Sequence, residues 1–262
     1  MQKNIVNIKK VLIFGDAFGI TQIKDRLPKK SKLEVRTVAA SIRDIPETIH
    51  IDYIQPQKQQ KAEYYDFFYN ISKFNPDIIF SNSYSMYISP EILHIPKYGA
   101  INIHYSMLPK YRGANPIQWA MINGEYYVGV TIHYMTERID AGDIITQQLI
   151  VICPEDTWVN VVERCKRISD LMITTEIPKI FDGTNKRTKQ DERFATYYPR
   201  RTPEDGEIIW TMPTIDIYNK IRALVKPHPG VFYTDKSGNK IVITDMKPYD
   251  WVKEQRIKML IP

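Results

Sequence analysis

Asn102, His104 and Asp140 are the residues whose types and spacing can do chemistry together. Asn102 and His104 stand two apart in Ala100-Ile101-Asn102-Ile103-His104, a run that reads as a strand. Period-2 alternation then puts both side chains on one face. Asp140 follows well downstream, in Ile139-Asp140-Ala141-Gly142-Asp143. An amide, an imidazole and a carboxylate can orient an acyl carbonyl, stabilise its oxyanion and collect a proton. No Ser or Cys stands in a nucleophile motif beside them. Acyl transfer here therefore needs no covalent enzyme, and the nucleophile can be an amine of the substrate.

Other residues offer weaker chemistry. Arg200-Arg201 places two guanidinium groups side by side, which suits a diphosphate held by bidentate hydrogen bonds. Tyr197 and Tyr198 are placed to enclose a sugar or base, with a solvated basic turn as the alternative. Gly15-Asp16-Ala17-Phe18-Gly19 has G-x-x-x-G and not the dinucleotide pattern G-x-G-x-x-G, so a tight strand-to-helix turn facing the acceptor is expected. His50, His94 and His133 lack metal spacing and read as structural or exposed. His228, between two prolines, either lines the acceptor site or serves a rigid turn.

The elements that must position these groups follow from periodicity. Residues 11–15, 33–38, 78–80, 100–104, 128–135 and 144–151 read as strands. Residues 64–74, 116–122 and 157–180 read as helices, the last with an apolar stripe through Val161, Cys165, Ile168 and Met172. Strands alternating with helices predict a parallel, doubly wound sheet. After Asp182 the chain turns polar and basic and reads as a surface connection. A short helix over 216–224 and a hairpin of 231–234 with 240–244 follow. The expected division is 1–182, a connection over 183–206, and a C-terminal region over 207–262.

With 43% hydrophobic and 25% charged residues in 262, the chain can bury a core without disulfides. Cys153 and Cys165 are not in a metal-type spacing and read as thiols in a reducing cytoplasm, so no metal is expected. No secretory signal is evident, and no stretch approaches the roughly 20 apolar residues of a membrane helix. The net charge of +6 suits nucleic acid or an anionic small substrate, and its spread along the chain favours the second.

The segment Asn102-Ile103-His104-Tyr105-Ser106-Met107-Leu108-Pro109-Lys110-Tyr111-Arg112-Gly113 resembles the formyltransferases that use N10-formyltetrahydrofolate. Their pattern is N-x-H-x-S-L-L-P-x-Y-R-G with a late L-D-x-G-D, which stands here as Ile139-Asp140-Ala141-Gly142-Asp143. The match runs from about Tyr98 to Gln147. Asp205-Gly206-Glu207-Ile208-Ile209-Trp210 and Ile221-Arg222-Ala223-Leu224 resemble the start of the C-terminal domain of methionyl-tRNA formyltransferase.

The resemblance implies an α/β, doubly wound, mostly parallel (Rossmann-like) sheet with a short C-terminal β-hairpin appendage. It implies that Asn102, His104 and Asp140 are catalytic and that N10-formyltetrahydrofolate is the cosubstrate. It places Met86, Tyr87 and Ile88, with Leu108 and Asp143, at the folate. The family commonly has Tyr-Gly where Ser85-Met86 stand, so recognition there is expected to use backbone groups.

The tail is shorter than the domain that follows this core in the transfer-RNA enzymes, which points away from a large RNA acceptor. The expected relatives are the nucleotide-sugar N-formyltransferases of bacterial surface-polysaccharide (O-antigen, lipopolysaccharide) pathways. The favoured acceptor is a dTDP-linked 4-amino-4,6-dideoxyhexose. A methionyl-tRNA formyltransferase-like enzyme and a formyltetrahydrofolate hydrolase are the alternatives. A cytoplasmic homodimer joined through the tail hairpin is expected, with Tyr249, Trp251, Met259, Leu260 and Ile261 adding apolar groups.

Overall fold

A computed structural model describes residues 6–29, 32–43 and 45–260. In chain order the first elements are β1 (Lys10–Gly15), α1 (Ala17–Lys24), β2 (Glu34–Ala39), β3 (Tyr53–Ile54), α2 (Lys61–Phe74), β4 (Ile78–Asn82), α3 (Pro90–Leu93) and β5 (Ala100–His104). They are followed by β6 (Arg112–Gly113), α4 (Pro116–Ile122), β7 (Tyr127–Tyr134), β8 (Ile144–Val151) and α5 (Trp158–Phe181). The chain ends with β9 (Tyr197–Tyr198), α6 (Thr214–Ala223), β10 (Val231–Thr234), β11 (Lys240–Ile243) and α7 (Tyr249–Leu260).

One sheet has the order β3-β2-β1-β4-β5-β7-β8. β1 pairs in parallel with β2 and β4, β2 with β3, and β4 with β5. β7 runs antiparallel to β5, with Asn102 opposite His133 and His104 opposite Thr131. The chain leaves β1 in one direction and returns to the other side through β4, so the C-terminal ends of β1, β4 and β5 meet at a topological switch point, where such sheets bind ligands.

The chain divides into two compact units interleaved in sequence. The first is Met1–His104, Thr131–Gln147 and Ile168–Asp191; the second is Tyr105–Val130, Gln148–Arg167 and Glu192–Pro262.

In the first unit, both sheet faces are covered. Leu12, Phe14, Ile79 and Ala100 pack with Phe67, Ile71 and Phe74 of α2 and with Ile92 and Leu93 of α3. The spacing 67, 71, 74 is one helical face, and each such side chain contributes about 1.5–3 kcal/mol when fully buried. Asn75 ends α2 in the left-handed region (φ 52°), and its N–H bonds to the Ile71 carbonyl. Ile101, Ile103 and Ile132 face the other way, toward Ile23 of α1 and Ile173 and Ile177 of α5. Asn82 donates to Gln22 (2.7 Å), whose own amide donates to Ser169 (3.1 Å), so three buried polar side chains link α1, β4 and α5.

In the second unit, β6 pairs with β9 in parallel, Arg112 opposite Tyr197. Arg112 is fully buried, and its guanidinium donates to both Glu192 carboxylate oxygens and to the Tyr197 hydroxyl. β10 and β11 form the antiparallel hairpin, Val231 opposite Ile243.

The longer elements lie where periodicity predicts them. The short β3, β6 and β9 escape it, because two residues show no period. α7 was not anticipated; it buries Val252 but presents no apolar stripe, and Arg256 anchors it by donating to the carbonyls of Trp210 and Met212. Ile261 lies outside the described residues.

Asp156 organises the start of α5. It accepts from the Cys153 N–H (2.6 Å) and takes both arms of Arg164, while Arg222 donates to the Cys153 and Asp156 carbonyls. Burial works to raise its pKa, but the Arg164 and Cys153 hydrogen bonds outweigh it and hold the carboxyl below the usual range. A depressed carboxylate stabilises the fold above its unfolded pKa, and that stability is lost as pH falls through the folded value. Asp156→Asn should therefore cost about 1.5–3 kcal/mol at pH 7, the worth of charge-assisted hydrogen bonds. In urea titrations the gap from the parent should close as the pH drops below the carboxylate range. A gap that persists unchanged in acid would refute the linkage.

Candidate active site

The site is built at the C-terminal end of β5. Ile101 and Ile103 are buried toward α1 and α5, which leaves Asn102 and His104 on the opposite face. Asp140 arrives on the loop between β7 and β8 in the left-handed region (φ 52°), a conformation that Asp tolerates better than most residues. The Tyr134 N–H closes that loop on the Asp143 carbonyl (2.9 Å). Gly142 packs so tightly that an added Cβ would stand 2.0 Å from the Tyr134 carbonyl oxygen, so only glycine fits. The result brings all three expected groups together. His104 Nδ1 lies 3.5 Å from one Asp140 oxygen and Asn102 Nδ2 lies 3.5 Å from the other. The His104 and Asp140 side chains are only 7% and 12% exposed, so water screens their interaction weakly.

His133 joins them. Sequence reasoning set it aside because it matches no metal spacing; its place opposite Asn102 depends on the β5–β7 register. It is 1% exposed, with Nδ1 2.8 Å from the Tyr134 carbonyl. A ring nitrogen beside a carbonyl must carry the proton, so in the neutral ring Nε2 is the acceptor. That Nε2 faces Asn102 Nδ2 at 3.3 Å and Asp140 at 3.5 Å. In that tautomer Nε2 takes one amide hydrogen of Asn102 and orients the amide. The second hydrogen points to Asp140 at the long limit of a hydrogen bond and can turn to a substrate oxygen at small cost.

The loop after β4 is held from behind. Gln55 donates to the Tyr87 carbonyl (2.9 Å) and accepts from the Tyr84 hydroxyl (2.7 Å). Tyr87 is exposed and Met86 half-buried. Ile88 is 3% exposed and packs into the core, so only its backbone is offered to a ligand. Asp143 is half-buried, and its carbonyl closes the Asp140 loop. Gly15 and Gly19 pack against the Asn82 carbonyl, where an added Cβ would meet it at 2.7 and 2.1 Å, and Asp16 caps α1 by accepting from the Gly19 N–H. These glycines serve close helix-to-strand packing.

The other expected residues belong to the second unit. Leu108 is buried beside a cis Pro109. Tyr198 stacks on Tyr111 (centroids 4.7 Å apart) and leans on Trp119, and its hydroxyl accepts from Asn123. Tyr197 is engaged by Arg112 yet 51% exposed.

The two arginines differ. Arg200 is exposed, whereas Arg201 is half-buried, its N–H donating to Asn115 Oδ1 (3.0 Å). Its Nη1 is buried and finds no hydrogen-bond acceptor among the described residues. Burial lowers the Arg201 pKa, against the opposing pull of Asp205. His228 is held below its usual pKa by burial and then by the Arg201 charge, and its ring packs edge-on to Trp158 with Nε2 3.1 Å from the Gln118 amide.

Among the described residues no cluster of His, Cys, Asp and Glu could hold a metal, and no helix is long and apolar enough to cross a membrane.

Comparison with known proteins agrees with this geometry. The family model for formyl transferase matches residues 18–176, and that for the formyl transferase C-terminal domain matches residues 200–257. Over 162 residues the chain is 43% identical to the bifunctional polymyxin resistance protein ArnA of Wigglesworthia glossinidia brevipalpis. That stretch is 62% of this chain and 25% of the relative, so the chain spans about a quarter of the curated relative it matches. A 4-N formyltransferase from Francisella tularensis has the same fold, with TM-score 0.73, 21% identity, and coverage of 92% of this chain and 98% of that one. So has an N-formyltransferase from Helicobacter canadensis in complex with folinic acid and dTDP-3-aminofucose, with TM-score 0.67, 19% identity, and coverage of 88% and 85%. With the trio assembled at the C-terminal end of β5 and the first family model covering more than half its length, this chain belongs to the formyl transferase family.

Proposed function

We propose that the chain moves the formyl group of N10-formyltetrahydrofolate to the primary amine of a nucleotide-linked amino-dideoxy sugar. The favoured acceptor is a dTDP-4-amino-4,6-dideoxyhexose, and the setting is cytoplasmic synthesis of a surface polysaccharide such as O-antigen. The observation that carries this reading is the meeting of Asn102, His104 and Asp140 with no Ser or Cys nucleophile motif beside them. The ligands of the Helicobacter relative, folinic acid and an amino sugar on dTDP, support the choice of donor and acceptor classes.

The residues present fit a folate. The loop after β4 has its backbone fixed by Gln55 and its apolar Ile88 anchored in the core, so Met86, Tyr87 and Ile88 would hold the ring mainly by main-chain groups, with Leu108 and Asp143 completing the set. The donor supplies the formyl carbonyl. Asn102 donates an amide hydrogen to the oxygen that becomes negative when the amine attacks, and protonated His104 adds a charge-assisted donor. Asp140 favours the charged form of His104 and accepts the proton that the amine sheds, directly or through water; the intermediate then collapses by breaking the formyl carbon's bond to N10, which takes up a proton and leaves as tetrahydrofolate.

For the acceptor, Arg201 is the residue on which the diphosphate reading rests, because its buried arm carries a charge that burial disfavours and an anion would stabilise. Exposed Arg200 contributes at longer range, with Tyr197 and Tyr198 beside the sugar or base. The homodimer reading draws on exposed apolar residues of the tail, among them Ile241, Val242, Tyr249 and Ile257.

His104→Asn and Asp140→Asn should fold like the parent and lose roughly 100-fold or more in turnover. The assay is product mass from N10-formyltetrahydrofolate across a panel of nucleotide-linked amino sugars, transfer RNA and water. Formate release alone would favour the hydrolase, and parent-like turnover in both variants would sink the assignment. Arg201→Ala should raise the acceptor's KM by on the order of 10- to 100-fold, from loss of about 1.5–3 kcal/mol, and leave the folate's nearly unchanged. Overlaid acceptor titrations would place the diphosphate elsewhere. Light scattering at micromolar concentration should report a dimer; a monomer would refute it.

A further inference from the structure

Residues 183–191 read from composition as a surface connection, and most of them are exposed. Asn185 and Gln190 are instead half-buried, and both direct amide groups at the end of β7 and the loop that carries Asp140. Asn185 donates to the Tyr134 hydroxyl (3.0 Å), and the Arg187 guanidinium lies 3.6 Å over the Tyr134 ring. Thr188 and Ile144 exchange both backbone hydrogen bonds (2.8 and 2.9 Å), so this segment is stitched to the first residue of β8. Gln190 then donates from one nitrogen to two carbonyls of the loop, those of Asp140 and Gly142, each at 2.7 Å.

These contacts bear on the loop that carries Asp140, whose backbone is uncommon. With Asp140 at φ 52°, its carbonyl and that of Gly142 are both turned to the same side-chain amide. A doubly donating amide nitrogen is the group that can satisfy two such acceptors at once; a carboxylate or hydroxyl of similar reach cannot. The carboxylate of Asp140 must meet His104 on one oxygen and Asn102 on the other, so a small rotation of its backbone would break both contacts together.

We infer that Gln190 is a positioning residue for Asp140, and that residues 185–190 form a strap which holds the catalytic carboxylate in its left-handed turn. The inference rests on the catalytic reading of Asp140. Gln190 holds main-chain oxygens of that loop, and in this role it acts through Asp140.

The test is a double-mutant cycle with the full chain. Gln190→Met keeps the side chain's length and removes the donor; Gln190→Asn keeps the amide but shortens its reach, and serves if the first variant folds poorly. Either should lower kcat roughly 10- to 100-fold, as a displacement of about 1 Å in a catalytic group does. KM values for the folate and the amino sugar should stay within about twofold, the mark of an interaction that matters in the transition state. Amide hydrogen exchange across residues 136–143 should quicken by roughly 10-fold, which reports the strap without relying on activity. In an Asp140→Asn background the Gln190 change should cost less than about threefold, because its effect passes through the missing carboxylate. Parent-like kcat and exchange in both Gln190 variants, or an equal penalty in both backgrounds, would overturn the strap alone. Parent-like turnover in Asp140→Asn would overturn the catalytic reading and the strap with it.

Discussion

The antiparallel register of β7 on β5 is the constraint on which the candidate site depends. It sets His133 opposite Asn102, and it ends β7 where the following loop can bring Asp140 to both. A slip of one residue would carry every side chain of β7 to the other face, moving His133 into the layer that Ile132 now fills against α5. Buried apolar residues on both sides of the sheet make that slip costly. The chemistry is therefore specified by hydrophobic packing that takes no part in it.

Polar groups in this setting are mutually oriented. Asp140 is nearly enclosed and shares its oxygens between the His104 imidazole and the Asn102 amide. The Tyr134 carbonyl holds a proton on His133 Nδ1, which in the neutral ring leaves Nε2 to accept from Asn102. Groups fixed before the substrate arrives need little reorganisation as charge develops, which is the main source of such electrostatic stabilisation.

A contrast runs through the arginines of the second unit. Arg112 is buried and fully matched by Glu192 and Tyr197, which fits a structural role in joining β6 to β9. Arg201 is half-buried with one arm unmatched among the described residues, and its charge bears on His228 nearby. Neighbouring Arg200 is exposed. Two adjacent guanidinium groups in sequence are thus not equivalent in space.

Local pattern alone was enough to read the main strands, the long helices, the hairpin, and the shared face of Asn102 and His104, because alternation and helical periodicity are properties of a few neighbouring residues. The pairing of Asp140 with His104 came from a family resemblance, since nothing in periodicity spans the 36-residue separation. Tertiary structure decided the rest. His133 acquired its place from strand register. Gln190 acquired its two carbonyl partners from a connection whose composition says only that it is polar. α7 formed without an apolar stripe, with Arg256 anchored on the distant carbonyls of Trp210 and Met212. Tyr198 became part of a stacked aromatic cluster, and the Arg200–Arg201 pair split between surface and interior. In each case the deciding partner is distant in sequence, and only the folded chain brings it within hydrogen-bonding or van der Waals range.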